Sequence, residues 1–204
     1  MTGAVRRTLG DDRGFTLVEL LIVMVLAAFV LGATLASLQV GTRSSEIALG
    51  RTEAQSNGRV ALERMIADIR SAGYDPRAAG FDVVEAQSAS SVILRSDLDA
   101  SGTLDPPAGV CDAGAAAERV RYRLSGGLLL RSTDPANAAC EAALVGGVTA
   151  LTLTYMRGDG TAAATAAEVR SIRVSITLRP ESITGSQVGA MTATLVDQAR
   201  FRNR

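Results

Sequence analysis

The sequence predicts an α+β fold: one long N-terminal helix, apolar all round in its first half and amphipathic in its second, packed on an antiparallel β-sheet. Three observations carry it. Residues 15–38 hold a single charge, Glu19, in 24 positions. Residues 48–72 place apolar and small side chains three and four apart, with no proline before Pro76. From Phe81 onward the period falls to two, in short runs separated by glycine- and proline-bearing turns.

Taken in order, residues 1–14 form a short polar arm with Arg6, Arg7, Arg13, Asp11 and Asp12. At about 1.5 Å per residue, the helix from Phe15 to Leu38 is long enough to cross a hydrocarbon layer of roughly 30 Å. Glu19 is the exception in that segment. An ionisable group there costs a few kcal/mol unless it is partnered, so it is a functional residue by default. Beyond Leu38 the helix turns amphipathic: Ala61, Leu62, Met65, Ile66, Ile69 and Ala72 form a stripe, and Arg59, Glu63, Arg64, Asp68 and Arg70 lie between them. Gly73 before Tyr74-Asp75-Pro76 supplies the stop, so residues 16–72 are predicted as one helix of roughly 85 Å. Gly32, Gly41, Gly50 and Gly58 each weaken it by up to about 1 kcal/mol, marking either a bend or a close approach of neighbouring helices.

Strands are predicted at Val92-Ile93-Leu94, across Val120, Tyr122 and Leu124, and, after the Ser125-Gly126-Gly127 turn, at Leu128-Leu129-Leu130. Arg119, Arg121 and Arg123 alternate with the second run and read as a solvated outer face. Leu151, Leu153 and Tyr155 mark another strand, ended by Gly158-Asp159-Gly160. Thr161 to Ala167 reads as a loop. Ile172, Val174, Ile176 and Leu178 give the clearest strand, closed by Pro180, and a weaker one runs from Thr192 to Ala199. A sheet with one apolar face needs cover, and the stripe around Leu62, Met65 and Ile69 provides it.

Composition excludes several function classes. The 21 basic residues are all Arg and are matched by 21 acidic ones, and there is no His, Lys or Trp. Imidazole acid/base catalysis, a Ser-His-Asp triad and histidine metal sites are thereby excluded. No serine stands in a nucleophile-elbow sequence, which leaves an enzyme reading only scattered carboxylates. Nucleic acid gains no support from net charge; its one candidate contact is Arg119, Arg121 and Arg123. Cys111 and Cys140 are too few for a four-thiolate zinc site and either form an extracytoplasmic disulfide or remain two buried thiols. Closing that loop of about 30 residues is worth roughly 3–4 kcal/mol.

Asp97-Leu98-Asp99-Ala100-Ser101-Gly102-Thr103-Leu104-Asp105 follows a predicted strand. Side-chain oxygens from Asp97, Asp99, Ser101 and Asp105, the backbone carbonyl of Thr103 and a glycine at position six match the first part of an EF-hand-type loop. Position twelve is Ala108, so the usual bidentate carboxylate is missing. Structural Ca²⁺ is the expected cofactor, against the alternative of an Asx-rich turn that binds nothing.

The run Gly14-Phe15-Thr16-Leu17-Val18-Glu19 resembles the processing motif of type IV pilins and pseudopilins. The resemblance implies a membrane peptidase that cuts between Gly14 and Phe15 and N-methylates Phe15, making Glu19 the fifth mature residue. Cutting exposes an α-amino group on Phe15 to pair with Glu19 of the same or a neighbouring subunit. An ordinary cleavable signal peptide accommodates Asp11-Asp12 and Glu19 poorly. The resemblance extends to the pilin fold and divides the chain into a leader (1–14), a transmembrane and polymerisation half-helix (15–38), an amphipathic half-helix (39–73) and a β-rich periplasmic domain (74–204). Asn57-Gly58-Arg59, the run from Asp68 to Tyr74 and the Arg200-Phe201-Arg202-Asn203 tail are similar to PilW-type minor pilins. This likeness implies a single-pass inner-membrane precursor that enters a filament with other minor and major pilins; the alternative is a type II secretion pseudopilin. Such proteins often carry calcium-stabilised loops. The helix-kinking proline of many major pilins has no counterpart here.

Overall fold

The structure is a computed structural model, and the residues it describes are 15–105, 111–112, 116–180 and 192–203. The leader with Gly14, and Ala108 in the acidic loop, lie outside them. Helix α1 runs Leu17–Ser71 without interruption. The chain divides into two units, Met1–Glu46 and Ile47–Arg204.

In the first unit every described residue, from 15 to 46, is exposed. Leu, Val, Ile, Met and Phe therefore point outward around the whole circumference, and among the described residues nothing packs against Gly32 or Gly41. Water is a poor solvent for such a cylinder, whose surface is satisfied by lipid or by other apolar helices. By length and composition, α1 is the one described helix fit to cross a membrane.

The second unit holds the remainder of α1 and two antiparallel sheets. Strands β1 (Val84–Gln87), β2 (Ser91–Arg95), β3 (Arg119–Ser125), β4 (Leu128–Ser132) and β5 (Glu141–Val145) form a five-stranded meander in chain order. Strands β6 (Val148–Met156), β7 (Ser171–Leu178) and β8 (Ala193–Arg200) form a second meander. Alternation sets the register in both: Val92 lies opposite Tyr122 and Leu94 opposite Val120, while Leu153 faces Val174 and Leu151 faces Ile176. All eight of these side chains are buried.

The single sheet expected from the sequence is two sheets. Gly147, at φ +69°, turns the chain out of the first sheet, and the Val148 amide then donates to the Gly127 carbonyl instead of continuing a hairpin with β5. Tyr155 stitches the sheets together, its hydroxyl lying 2.9 and 3.0 Å from the Ser88 and Ser91 carbonyls. β1 and β5 are not predicted from the sequence because alanine dilutes their alternation. The predicted loop at 161–167 runs into a 3-10 turn, Ala166–Glu168.

Gly58, Ala61, Leu62, Met65, Ile66 and Ile69 form the buried face of α1, at the predicted spacing. At Gly58 the choice between bend and close approach resolves to the latter, against a sheet rather than a helix. A Cβ there would stand 2.6 Å from Leu178 Cδ1 and 3.0 Å from Leu195 Cδ1. At the far end Gly73, at φ +80°, ends the helix and donates its amide to the Arg95 carbonyl.

One polar contact pins the helix to the first sheet. The Tyr122 hydroxyl donates to Asp68 Oδ2 at 2.7 Å, and Arg131 Nε donates to the same oxygen at 2.9 Å. The Arg131 side chain is only 2% exposed. Burial, foremost, and the Asp68 carboxylate beside it raise the Tyr122 pKa far above its ordinary value.

Two outcomes test this packing. Gly58→Val should lower stability by about 1–3 kcal/mol, since Leu178 and Leu195 must move; an unchanged urea midpoint would place the helix elsewhere. Asp68→Ala should cost about 3–5 kcal/mol by removing the carboxylate against which Arg131 is buried, whereas Asp68→Leu with Arg131→Met should cost less. Equal losses in the single and double variants would remove the pin from the account.

Candidate functional site

Two places gather the residues singled out by the sequence. At the start of α1, Thr16 caps the helix: the Glu19 amide donates to Thr16 Oγ1 at 3.3 Å and the Leu20 amide to the Thr16 carbonyl at 3.1 Å. Thr16 and Glu19 have the spacing of a capping box, a signal present in the sequence that attention to Glu19 alone misses. Glu19 stands in the first turn, where the helix dipole favours a negative charge. Phe15 precedes the cap and is exposed. An amine created on Phe15 would therefore sit at the mouth of the helix, next to the turn that carries the carboxylate.

The second place is the acidic loop, which joins β2 to β3 and rests on the helix stop through the Asp97 amide and the Tyr74 carbonyl, 2.7 Å apart. Asp97 accepts from the Ser101 and Gly102 amides at 3.0 Å each, and Asp99 accepts from the Ser101 amide at 2.8 Å. Gly102 is at φ +81°, as the turn requires. Ser101 and Thr103 hydroxyls lie 3.0 Å apart, and Thr103 Oγ1 donates to Asp105 Oδ2 at 2.8 Å. Hydrogen bonds from Ser101 hold the Asp99 carboxyl below its ordinary pKa.

Glu118, just before β3, is the residue that the sequence alone does not single out. Its Oε1 accepts from the Leu98 amide at 2.9 Å and its Oε2 from the Asp105 amide at 2.8 Å. Asp97, Asp99 and Glu118 each offer an oxygen within 4.8 Å of the others. Asp105 is not one of the three. Asp97 is 0% and Glu118 8% exposed, and among the described residues neither has a cationic partner. An all-oxygen donor set with surplus buried negative charge suits a hard divalent cation. Glu118 stands 21 positions after Asp97, too far for any loop motif to flag.

Residues 10–35 match the prokaryotic N-terminal methylation motif. The N-terminus carries a prepilin-type signal. It supports a type IV pilin-like or pseudopilin-like subunit, and implies processing by a prepilin peptidase and assembly with other pilins. No curated protein matches the sequence.

Two further expectations meet the structure differently. Cys111 and Cys140 are joined by a disulfide, with Cα atoms 4.6 Å apart. The arginines of β3, expected as a solvated face, are engaged in ion pairs. Arg119 Nε donates to Glu85 at 2.9 Å, and Glu141 accepts from Arg123 Nε at 2.6 Å and from Arg121 Nη2 at 3.3 Å. The carboxylates come from β1 and β5, each separated from β3 by one intervening strand, so the expectation fails because strand order is not legible in the sequence. This neutralisation weakens the case for phosphate contact at Arg119, Arg121 and Arg123.

Arg123, foremost, lowers the Glu141 pKa from its ordinary 4.5. Its stabilising contribution is therefore complete above pH 4.5 and is lost as the pH falls through the lower folded value. Glu141→Gln should reduce the urea midpoint at neutral pH, and the gap from wild type should close on acidification. A gap independent of pH would assign the loss to packing instead of charge.

Proposed function

We propose that the chain is a minor pilin, a low-abundance structural subunit of a type IV pilus that acts in assembly initiation or in a tip complex. The observation that carries this reading is the exposed helical surface from 15 to 42, mostly apolar and with Glu19 as its one charge, which overlaps the methylation motif at residues 10–35. Such a surface serves first as a membrane anchor and then as polymer core, once cleavage after Gly14 lets the subunit leave the bilayer laterally. Glu19 then exchanges an isolated position in lipid for an amine on Phe15 of its own or a neighbouring subunit. The PilW-like runs favour a minor subunit. A type II secretion pseudopilin would use the same N-terminal segment.

Gly14→Ala should block processing while Glu19→Ala should leave processing intact and reduce recovery in sheared filaments by roughly ten-fold or more, the scale of about 1.4 kcal/mol or greater. Mass spectrometry of the membrane fraction and immunoblots of the sheared fraction read the two steps separately. Normal incorporation of Glu19→Ala would remove the pairing argument.

We also propose that the acidic loop holds structural Ca²⁺, with Asp97, Asp99 and Glu118 as its carboxylate ligands and Ser101, Thr103 and Asp105 supporting the turn. The cation would offset carboxylates that otherwise repel one another beside the helix stop. Saturating Ca²⁺ at about 100 times Kd should stabilise the protein by roughly 2.7 kcal/mol, and a chelator should reverse the gain. Glu118→Gln should abolish most of the difference. A melt indifferent to both Ca²⁺ and chelator would leave the loop as an Asx-rich turn.

A further inference from the structure

At one end of the second sheet, β6 runs out, β7 begins and β8 finishes, and the Arg170 amide and carbonyl tie the three together through Met156 and Phe201. The space there is an open cleft of about 360 Å³ lined by Arg157, Gly158, Glu168, Arg170, Arg200 and Phe201. Three arginines and one carboxylate line it, and that carboxylate is already committed. Glu168 Oε2 accepts from Arg157 Nη2 at 2.7 Å and from the Ala164 amide at 3.0 Å. Arg157, foremost, lowers the Glu168 pKa.

Arg170 and Arg200 are left without a carboxylate among the described residues. Arg170 is fixed in place, because its Nη1 donates to the Ala167 and Val169 carbonyls at 2.9 and 3.1 Å. Arg200 and the stem of Arg170 approach the same glycine: a Cβ on Gly158 would lie 3.8 Å from both Arg170 Cγ and Arg200 Nη2. Guanidinium forks match the planar oxygens of a carboxylate, and two arginines lining one cleft with no carboxylate of their own among the described residues suit an incoming oxyanion.

We propose that this cleft docks an acidic side chain from a neighbouring protein subunit, an identification of the partner's chemistry that rests on the filament-subunit reading above. A nucleic-acid backbone fits less well. The chain has balanced formal charge, 21 basic against 21 acidic residues, so no long-range field gathers a polyanion. Phe201, the one aromatic side chain in the cleft wall, is buried and offers no face for base stacking.

The test uses the full chain in detergent with a fluorescein-labelled hexaglutamate peptide and, separately, a labelled twelve-nucleotide oligothymidylate. Hexaglutamate should bind, and Arg200→Gln should weaken it about five-fold, with Arg200→Lys between the two. Arg173→Gln, on the neighbouring strand outside the cleft, should leave binding unchanged. Absence of hexaglutamate binding, equal losses at Arg173 and Arg200, or tighter binding of the oligothymidylate would each overturn the proposal. Arg200 is exposed, so its variants keep the fold, and their melting curves check this. The mass of the processed N-terminus reads the filament-subunit assignment independently, so failure of one is distinguishable from failure of the other.

Discussion

One helix has to satisfy two environments, and the rest of the molecule is built around that constraint. Up to residue 46 its side chains are exposed and mostly apolar around the full circumference, which only lipid or other apolar helices can solvate. From Gly58 to Ile69 it is one-sided, with a buried stripe against the sheets and, Asp68 apart, its charged residues toward solvent. The β-rich part exists as a fold because it borrows that stripe as the cover its inner faces lack. At Gly58 and Gly73 the backbone comes too near Leu178 and Val83 to leave room for a Cβ.

Beyond apolar packing, the second unit relies on polar contacts between elements distant in sequence. Asp68 on α1, Tyr122 on β3 and Arg131 on β4 converge in a nearly dry site, where satisfying every partner matters more than the net energy of the pair. Tyr155 joins one sheet to the loop of the other, and Glu118 organises the acidic loop from outside it. These contacts explain how a domain in a chain with four phenylalanines, three tyrosines and no tryptophan fixes its geometry. Specific hydrogen bonds supply the orientation that bulky aromatic packing often provides.

Much of this is legible in the sequence. The helix ends fall within a residue of expectation, since an uninterrupted 3.6-residue stripe followed by Gly73 and Pro76 leaves little freedom. β7 is plain because Ile172, Val174, Ile176 and Leu178 alternate without interruption. What escapes depends on pairing between distant segments: the split into two sheets at Gly147, the carboxylates of Glu85 and Glu141 beside the β3 arginines, and Glu118 beside Asp97 and Asp99. Local periodicity specifies which face of a strand is apolar, but it does not say which strand lies alongside. Thr16 is a different case, because its capping-box spacing to Glu19 is local and readable, and only the stronger signal of a lone carboxylate in an apolar helix hides it.

The central claim is that the apolar half of α1 exchanges lipid for sister helices after a short leader is removed. Intact-mass and N-terminal analysis of the wild-type protein, from membranes and from sheared surface material of the same cells, tests it most directly. The account predicts a chain beginning at N-methylated Phe15 in both fractions. A chain that still carries residues 1–14, and never leaves the membrane fraction, would contradict it.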